Sequence, residues 1–184
     1  MKRVCIISGS GFLGSHVATQ LSNKNYDVTI FDKYESNWLE KNQQMIVGDI
    51  TDRNSLKDAL KNIDIVYNFA GIADLDDAIR KPIETVELNI LGNVYALEAS
   101  KKNNVKKFVY ASSQYVNSRE GSFYRCSKHA SELYVEEYKN YFNFIILRFG
   151  SLYGPRSGAD NGLFRIVKSA LIDGTISYQG NKDA

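Results

Sequence analysis

A glycine-rich turn between an apolar run and a helical pattern constrains this chain more than any other sequence feature. Val4 to Ile7 is apolar throughout, and Gly9, Gly11 and Gly14 follow at once. From the last of these glycines onward, apolar residues recur at helical spacing. A short buried strand that passes through a glycine turn directly into a helix predicts the opening of a βαβ unit.

Apolar runs and helical patterns alternate along the following sequence. We expect strands at residues 4–7, 28–31, 45–47, 63–69, 108–110 and 144–147, and helices at 12–21, 55–60, 83–100 and 123–141. Strands that are apolar throughout and separated by helices are typical of a parallel sheet covered on both faces. The predicted fold class is therefore α/β, a Rossmann-type doubly wound parallel sheet with helices on both faces.

The character of the sequence changes after Phe149, where Gly150, Gly154 and Pro155 fall in one loop-like stretch. We therefore expect a dinucleotide-binding domain over residues 1–150 and a second region over residues 151–184. In that region we predict a helix at 163–172 and a strand at 175–178. Because the sequence then stops at Ala184 without a closing element, we expect the start of a small C-terminal substrate domain, truncated.

Composition and charge exclude several classes of partner. Hydrophobic residues make up 43% of the chain, and 23 basic residues nearly balance 21 acidic ones, for a net charge of +2. This balance predicts no nucleic-acid and no membrane partner. The first apolar run is too short for a signal peptide or a membrane span, and Cys5 and Cys126 read as packing thiols. We expect a cytoplasmic protein without disulfides or metal.

The turn and the acid after the second strand together predict a cofactor. Gly9 to Gly14 fits G-x-G-x-x-G, in which glycines and a helix N-terminus accommodate a pyrophosphate. Asp32 ends the second strand. Its carboxylate would accept hydrogen bonds from the adenosine ribose hydroxyls of NAD and repel the 2′-phosphate of NADP. We predict NAD, with Lys33 slightly weakening the preference over NADP. The alternative is a turn that only packs a helix on a strand. His16, on the first helix, reads as a packing residue.

Ser113, Tyr124 and Lys128 form a candidate catalytic group. Tyr124 and Lys128 are four residues apart in a helical segment and so project from one face, and Ser113 closes the preceding strand. A nearby ammonium stabilises phenolate, which suits the tyrosine to proton transfer near neutral pH. The three side chains together suit reversible oxidation of a secondary alcohol. The alternative for a tyrosine on a helix is plain packing, which is how we interpret Tyr134.

The chain resembles the extended short-chain dehydrogenase/reductase family, in its nucleotide-sugar epimerase/dehydratase branch. The resemblance is carried by segments 8–16, 48–50, 68–71, 87–92, 111–113 and 147–156. It implies catalysis by Ser113, Tyr124 and Lys128, and substrate contacts from Ser113, Tyr124 and Ser151. The cofactor contacts that it implies are Gly9, Gly11, Phe12, Leu13, Gly14, Asp32, Lys33, Asp49, Ile50, Phe69, Ala70, Gly71, Asn89, Tyr124 and Lys128.

The chain departs from the family pattern at several positions. Ser8 stands where the family has its first turn glycine, and Arg125 follows Tyr124 where a small residue is usual. Ser151 replaces an asparagine that contacts the substrate diphosphate in many members. The tyrosine-glycine pair usually found after the serine motif is replaced by Asn117 and Ser118.

One further departure bears on the reaction. Related dehydratases and decarboxylases resemble one another in an acid two positions after the catalytic serine or threonine, whereas Gln114 and Tyr115 follow Ser113 here. Elimination of water would lack its base. We therefore predict an NAD-dependent epimerase of a nucleoside-diphosphate sugar, resembling 4-epimerases, that works by transient hydride transfer and a 4-keto intermediate.

Other functions stay open at this point. The alternatives are an NAD(P)-dependent reductase, dehydrogenase or dehydratase of a sugar nucleotide, and a non-catalytic NAD-binding regulatory protein or inactive fragment. The resemblance also implies a homodimer formed by packing a pair of long helices, for which the helices predicted at 83–100 and 123–141 are the candidates.

Overall fold

The computed structural model describes residues 1–159 and 161–176. Six parallel strands form one sheet in the order β3-β2-β1-β4-β5-β6. This order and the interleaved helices confirm the predicted Rossmann-type α/β fold. The strands are β1 (Arg3–Ile7), β2 (Asp27–Asp32), β3 (Gln43–Val47), β4 (Ile65–Asn68), β5 (Lys107–Ser113) and β6 (Asn143–Phe149).

Helices lie in four of the five connections between consecutive strands; residues 33–42, between β2 and β3, contain none. The helices are α1 (Phe12–Asn23), α2 (Arg53–Ala59), α3 (Leu75–Arg80), α4 (Pro82–Thr85), a π-helical segment (Val86–Leu91), α5 (Gly92–Lys102), α6 (Ser122–Glu137) and α7 (Gly162–Asp173). A short 3-10 turn, Gln114–Asn117, follows β5.

The core lies on both faces of the sheet because side chains along each strand alternate. Val4 and Ile6 of β1 pack with Ala18 of α1 on one face. Cys5 and Ile7 belong to a second cluster on the other face, which draws its members from α2, α5 and α6. Burial raises the pKa of the Cys5 thiol to about 12, so this thiol is an inert packing group. Cys126 is exposed on α6, so the packing role predicted for it was wrong.

The strand order reverses direction at β1, which pairs with β2 on one side and β4 on the other. In open α/β sheets, ligands bind at such a switch point, beyond the carboxyl ends of the strands. The glycine turn, Asp32, Asn68 and Ser113 all lie at this edge, directly after or at the ends of their strands.

The helix predicted at 83–100 is longer and less regular than expected. The helical stretch runs from Pro82 to Lys102 and widens into π-helical geometry over Val86–Leu91. Apolar periodicity did not predict this segment, because 6 residues of π-helix are too few to establish a period of their own. The side-chain bonds of Asn89, described below, accompany the widened turn.

Other boundaries also differ from the sequence expectations. The helix predicted at 123–141 ends at Glu137, because Tyr138 turns inward to stack on Phe142 and to donate its hydroxyl to Glu98 at 2.7 Å. The strand predicted at 63–69 is shortened to Ile65–Asn68. Helix α3 was not predicted. Its N-cap is Asp74, whose side chain accepts from the Asp77 N–H at 2.9 Å, and an aspartate at this position is the sequence signal that could have predicted the helix.

The chain divides into two compact units, residues 1–150 and 151–184. In the second, the side chain of Asn161 caps α7 by accepting from the Phe164 N–H at 3.0 Å. The strand predicted at 175–178 falls largely outside the described residues. No helix in the described part of the chain is long and apolar enough to cross a membrane.

Candidate active site

The three glycines of the turn have different structural roles. A Cβ at Gly9 would lie 2.8 Å from Ile30 Cγ2, and one at Gly14 would overlap the Ser8 carbonyl oxygen. These two glycines let α1 pack closely on the strands. A Cβ at Gly11 would meet nothing closer than 3.6 Å, and no side chain caps α1 there. The space beside Gly11 is therefore open to a ligand, next to an uncapped helix N-terminus.

Ser8 adopts the left-handed conformation at the place of the family's first glycine. Its φ is +61°, a region where a residue with a Cβ is strained. The backbone N–H of Ser8 donates to the Phe31 carbonyl oxygen at 2.8 Å, which fixes the start of the turn to β2. The backbone at Ser8 therefore has the left-handed conformation that glycine favours, although the residue is a serine.

Asp32 holds the turn from the end of β2. Its Oδ2 accepts from the Ser10 N–H at 2.9 Å, and its Oδ1 accepts from the Tyr34 N–H at 3.1 Å. Each carboxylate oxygen has more than one lone pair, so both retain acceptor capacity for ribose hydroxyls. Phe12 and His16 make an edge-to-face contact at 5.7 Å, in agreement with a packing role for His16.

Lys33 and Asp49 form an ion pair at the same edge, with Nζ and Oδ2 3.4 Å apart. Asp49 also accepts from the Thr51 backbone N–H at 2.9 Å and the Thr51 hydroxyl at 2.8 Å. These bonds, with the help of Lys33, hold the pKa of the Asp49 carboxyl below its usual range. The neighbouring Ile50 is buried and packs against Gly92, so it belongs to the core.

Asn89 connects the segment after β4 to α6. Its side-chain oxygen accepts from the Ile72 N–H at 2.7 Å, and its amide nitrogen donates to the Ile72 carbonyl at 3.0 Å and to Ser127 Oγ at 2.9 Å. Gly71, with φ +141°, leaves room for this side chain. The structure therefore gives Asn89 a bracing position behind Phe69, Ala70 and Gly71.

Ser113, Tyr124 and Lys128 come together between β5 and α6, and all three are buried. The Ser113 side chain lies beside Tyr124 and acts to lower the pKa of its phenol. The Tyr115 N–H donates to Ser113 Oγ at 3.3 Å. Lys128 Nζ lies 5.8 Å from the centre of the Tyr124 ring and donates to the Ala111 carbonyl oxygen at 2.8 Å. The spacing in the sequence thus translates into one constellation.

Burial sets the protonation of this group. Burial raises the pKa of Tyr124, and the neighbouring Ser113 side chain only partly offsets the effect. Burial also lowers the pKa of Lys128 to about 8. The phenol is therefore neutral near pH 7, and an ammonium that titrates close to neutrality lies beside it.

The sequence did not predict an ion pair behind the constellation, between a buried glutamate and an exposed arginine. Glu132, one turn after Lys128 on α6, is 2% exposed. Arg148 of β6 donates to its two oxygens, from Nε at 2.9 Å and from Nη2 at 2.7 Å. The only sequence signal is that Glu132 follows Lys128 by four residues and so shares its face.

The structure locates several of the residues at which the chain departs from the family pattern. Arg125 Nη1 donates to the Ser118 carbonyl oxygen at 2.9 Å, which ties the segment after β5 to α6. The edge of the Tyr115 ring meets the Tyr124 ring at 6.3 Å. Ser151 belongs to the second unit, where it is exposed. Its contact with a substrate diphosphate stays a prediction.

Comparisons with known proteins agree with this geometry. The sequence model of the NAD dependent epimerase/dehydratase family matches residues 4–184. A dTDP-D-glucose 4,6-dehydratase of Dictyostelium discoideum is 31% identical over 195 residues, which cover 85% of this chain and 45% of the relative. A UDP-N-acetyl-alpha-D-glucosaminuronate decarboxylase of Bacillus cytotoxicus is 34% identical over 123 residues, which cover 63% of this chain and 38% of the relative.

Solved structures show the same likeness. The UDP-glucose 4-epimerase of Thermus thermophilus, in complex with NAD, matches with a TM-score of 0.84 at 26% identity. The match covers 92% of this chain and 62% of that one. The chain spans about half the length of the curated relatives it matches.

Proposed function

The chain belongs to the NAD-dependent epimerase/dehydratase family, and we propose that it acts as an NAD-dependent epimerase of a nucleoside-diphosphate sugar, inverting C4. The observation that carries this proposal is the buried group of Ser113, Tyr124 and Lys128, with no acidic residue directly following the serine. The proposal concerns the protein as a whole, of which unit 1–150 would hold the cofactor and the catalytic side chains.

The glycine turn fits a dinucleotide. The open approach at Gly11 and the uncapped N-terminus of α1 suit a pyrophosphate, because free N–H groups and the helix dipole attract anions. Asp32 would accept the adenosine ribose hydroxyls and repel a 2′-phosphate. Lys33 is paired with Asp49, which leaves this lysine less available to a phosphate. These features support NAD as the cofactor.

The three buried side chains suit proton exchange at a secondary alcohol. Tyr124 would exchange the proton of the sugar hydroxyl, and the Lys128 ammonium would stabilise the phenolate form. Ser113 would donate its hydroxyl to the same sugar oxygen. NAD, when bound, supplies the acceptor and donor of hydride. An epimerase needs no further acid or base, since rotation of the keto sugar exposes its other face.

The carboxylates near the site favour epimerisation over elimination. Gln114 and Tyr115 occupy the two positions after Ser113. Glu132 is the buried carboxylate closest along α6, and both of its oxygens are bound by Arg148. A carboxylate paired in this way is a poor proton acceptor. Within the described residues of unit 1–150, the catalytic side chains therefore supply a tyrosine base without a second, free acid.

We also propose a homodimer and a cytoplasmic location. Ile83, Val86 and Leu91 are exposed on the helical stretch 82–102, and Leu133 and Tyr134 are exposed on α6. Apolar side chains exposed on two neighbouring helices suit a helix-pair interface with a second copy. Cys5 and Cys126 are free thiols, which suits a reducing compartment.

The reaction products test the proposal. The full-length protein is incubated with UDP-, GDP- and dTDP-hexoses, and the products are identified by NMR. We expect the C4 epimer of one of these substrates, with no net consumption of NAD or NADH. A 4-keto-6-deoxy sugar would show a dehydratase instead, and stoichiometric oxidation of NADH would show a reductase.

A further inference from the structure

Lys128 is a buried ammonium with few partners. It is 5% exposed, and Nζ donates to the Ala111 carbonyl oxygen at 2.8 Å. Among the residues that the structure describes, no carboxylate forms an ion pair with it. An ammonium carries three N–H donors and is strongly hydrated in water. Its burial beside one carbonyl oxygen therefore requires further stabilisation.

The ring of Tyr110 lies next to this ammonium. Lys128 Nζ is 5.0 Å from the centre of the Tyr110 ring, within the range of cation–π attraction. The ring of Tyr124 is farther away, at 5.8 Å. Tyr110 is 1% exposed in β5, the strand that also provides Ala111 and Ser113, so its ring is held firmly in place.

The hydroxyl of Tyr110 does not account for this arrangement. It faces Ser131 but makes no hydrogen bond with any of the residues described. Burial raises the pKa of this phenol well above its usual range, so the side chain is neutral and offers Lys128 no charge. The favourable polar contact of Tyr110 comes from the face of its ring.

The titratable groups around Lys128 come from two elements. Tyr110 lies on β5, whereas Tyr124 and Glu132 lie on α6, one turn before and one turn after Lys128. Glu132 is neutralised by Arg148. Tyr110 is therefore the aromatic group best placed to stabilise the ammonium without an opposing charge.

We propose that Tyr110 is a positioning residue for Lys128: the face of its ring supports the buried ammonium and keeps it charged beside Tyr124. The inference rests on the proposed function in one respect, namely that Lys128 assists Tyr124 in proton transfer. The contact of ring and ammonium is a property of the folded chain and can be measured without substrate or cofactor.

The test is the titration of Lys128 in ring variants. The pKa is read from the ¹³Cε shift in protein labelled with [ε-¹³C]lysine, assigned with Lys128→Met. Tyr110→Phe keeps the ring and removes the hydroxyl, so the Lys128 pKa should stay at the parent value. Tyr110→Leu removes the ring, and the pKa should fall by about one unit. An unchanged titration in a folded Tyr110→Leu protein would overturn the inference.

Fluorinated phenylalanines at position 110 give a second measurement that leaves no cavity. Successive fluorine atoms weaken the negative face of the ring while its size changes little. The Lys128 pKa should therefore decrease stepwise with the number of fluorines. If all fluorinated rings gave the titration of Tyr110→Phe, the ring would serve only to fill space, and the inference would be wrong.

Activity separates this inference from the proposed function. If the Lys128 titration responds to the ring but the full-length protein converts no sugar nucleotide, the proposed function fails and the role of Tyr110 stands. If the protein is an active epimerase and the Lys128 pKa does not change with the ring at position 110, the proposed function stands and the role of Tyr110 fails. In an active protein, Tyr110→Leu should also displace the pH profile of kcat relative to Tyr110→Phe.

Discussion

Tyr124 is the side chain on which the proposed chemistry depends most. Tyr124→Phe keeps the ring contact with Tyr115 and removes the hydroxyl that would exchange the substrate proton. We expect kcat to fall by about 10²- to 10⁴-fold, the usual contribution of a general acid–base group. NAD affinity should fall far less, because Tyr124 is one of many predicted cofactor contacts. Steady-state kinetics and NAD titration measure the two quantities.

Tyr134 lies on the same helix but is exposed, so the packing role predicted for it was wrong and it serves as the matched control. Tyr134→Phe should leave kcat unchanged. Equal losses in the two variants, or full activity in Tyr124→Phe, would contradict the assigned role of Tyr124.

Two glycines of the turn should respond differently to substitution, because Gly14 is required for packing and Gly11 for access of a ligand. A Cβ at Gly14 would overlap Ser8, so Gly14→Ala should lower the free energy of unfolding by roughly 2 kcal/mol or more. Gly11 has open space, so Gly11→Ala should change stability by less than about 0.5 kcal/mol. We expect Gly11→Ala to weaken NAD binding at least about tenfold, because the methyl group would stand where the pyrophosphate approaches.

Urea unfolding and calorimetric NAD titration of both variants check this division. The account of the turn would be wrong if Gly11→Ala bound NAD like the parent, or if Gly14→Ala were as stable as the parent.

At the scale of elements, the Glu132–Arg148 pair joins α6 to β6. Arg148→Met would leave the buried Glu132 carboxylate without its partner, and it should lower the free energy of unfolding at pH 7. Arg80→Met is the control, since the Arg80–Asp77 pair is exposed and its loss should leave the free energy of unfolding nearly unchanged. Thermal or urea unfolding gives both values.

The cost of Arg148→Met should depend on pH. Burial is the largest effect and would raise the pKa of Glu132, but the hydrogen bonds and charge of Arg148, together with Ser112 and His129, outweigh it and hold the pKa below its usual range. The pair therefore stabilises the fold above the unfolded-state pKa, and this contribution is lost as the pH falls through the folded-state pKa. The deficit of the variant should be largest near neutrality. It should shrink as the pH falls, first through the Glu132 pKa of the variant, which burial raises, and then through the lowered pKa of the parent. A deficit that grows on acidification would contradict the pairing.

The sequence predicted the elements whose signals are local and periodic. Apolar runs predicted all six strands. Helical periodicity predicted α1, which follows the glycine turn, and α6, which carries Tyr124 and Lys128. The π-helical segment, the inward turn at Tyr138 and the contact between Tyr110 and Lys128 depend on packing between elements. Such contacts leave no periodic trace, so only the folded structure brings these residues together.

At the scale of the whole molecule, the exposed apolar helix faces predict self-association. The full-length protein should have the mass of a dimer in light scattering after size-exclusion chromatography. Val86→Glu combined with Leu133→Glu should shift it toward the monomer, because charges would be buried in the helix-pair interface. Leu39→Glu, an exposed position outside these helices, is the control. A dimer unaffected by the paired substitution would place the interface elsewhere.

The fate of the hydrogen at C4 of the sugar tests the central claim most directly. The full-length protein is given the nucleoside-diphosphate hexose that it converts, deuterated at C4, and the product is analysed by NMR and mass spectrometry. The account predicts the C4 epimer with deuterium still at C4 and no accumulation of NADH. Loss of the label to solvent, migration of the label to C6 of a dehydrated product, or net formation of NADH would contradict it.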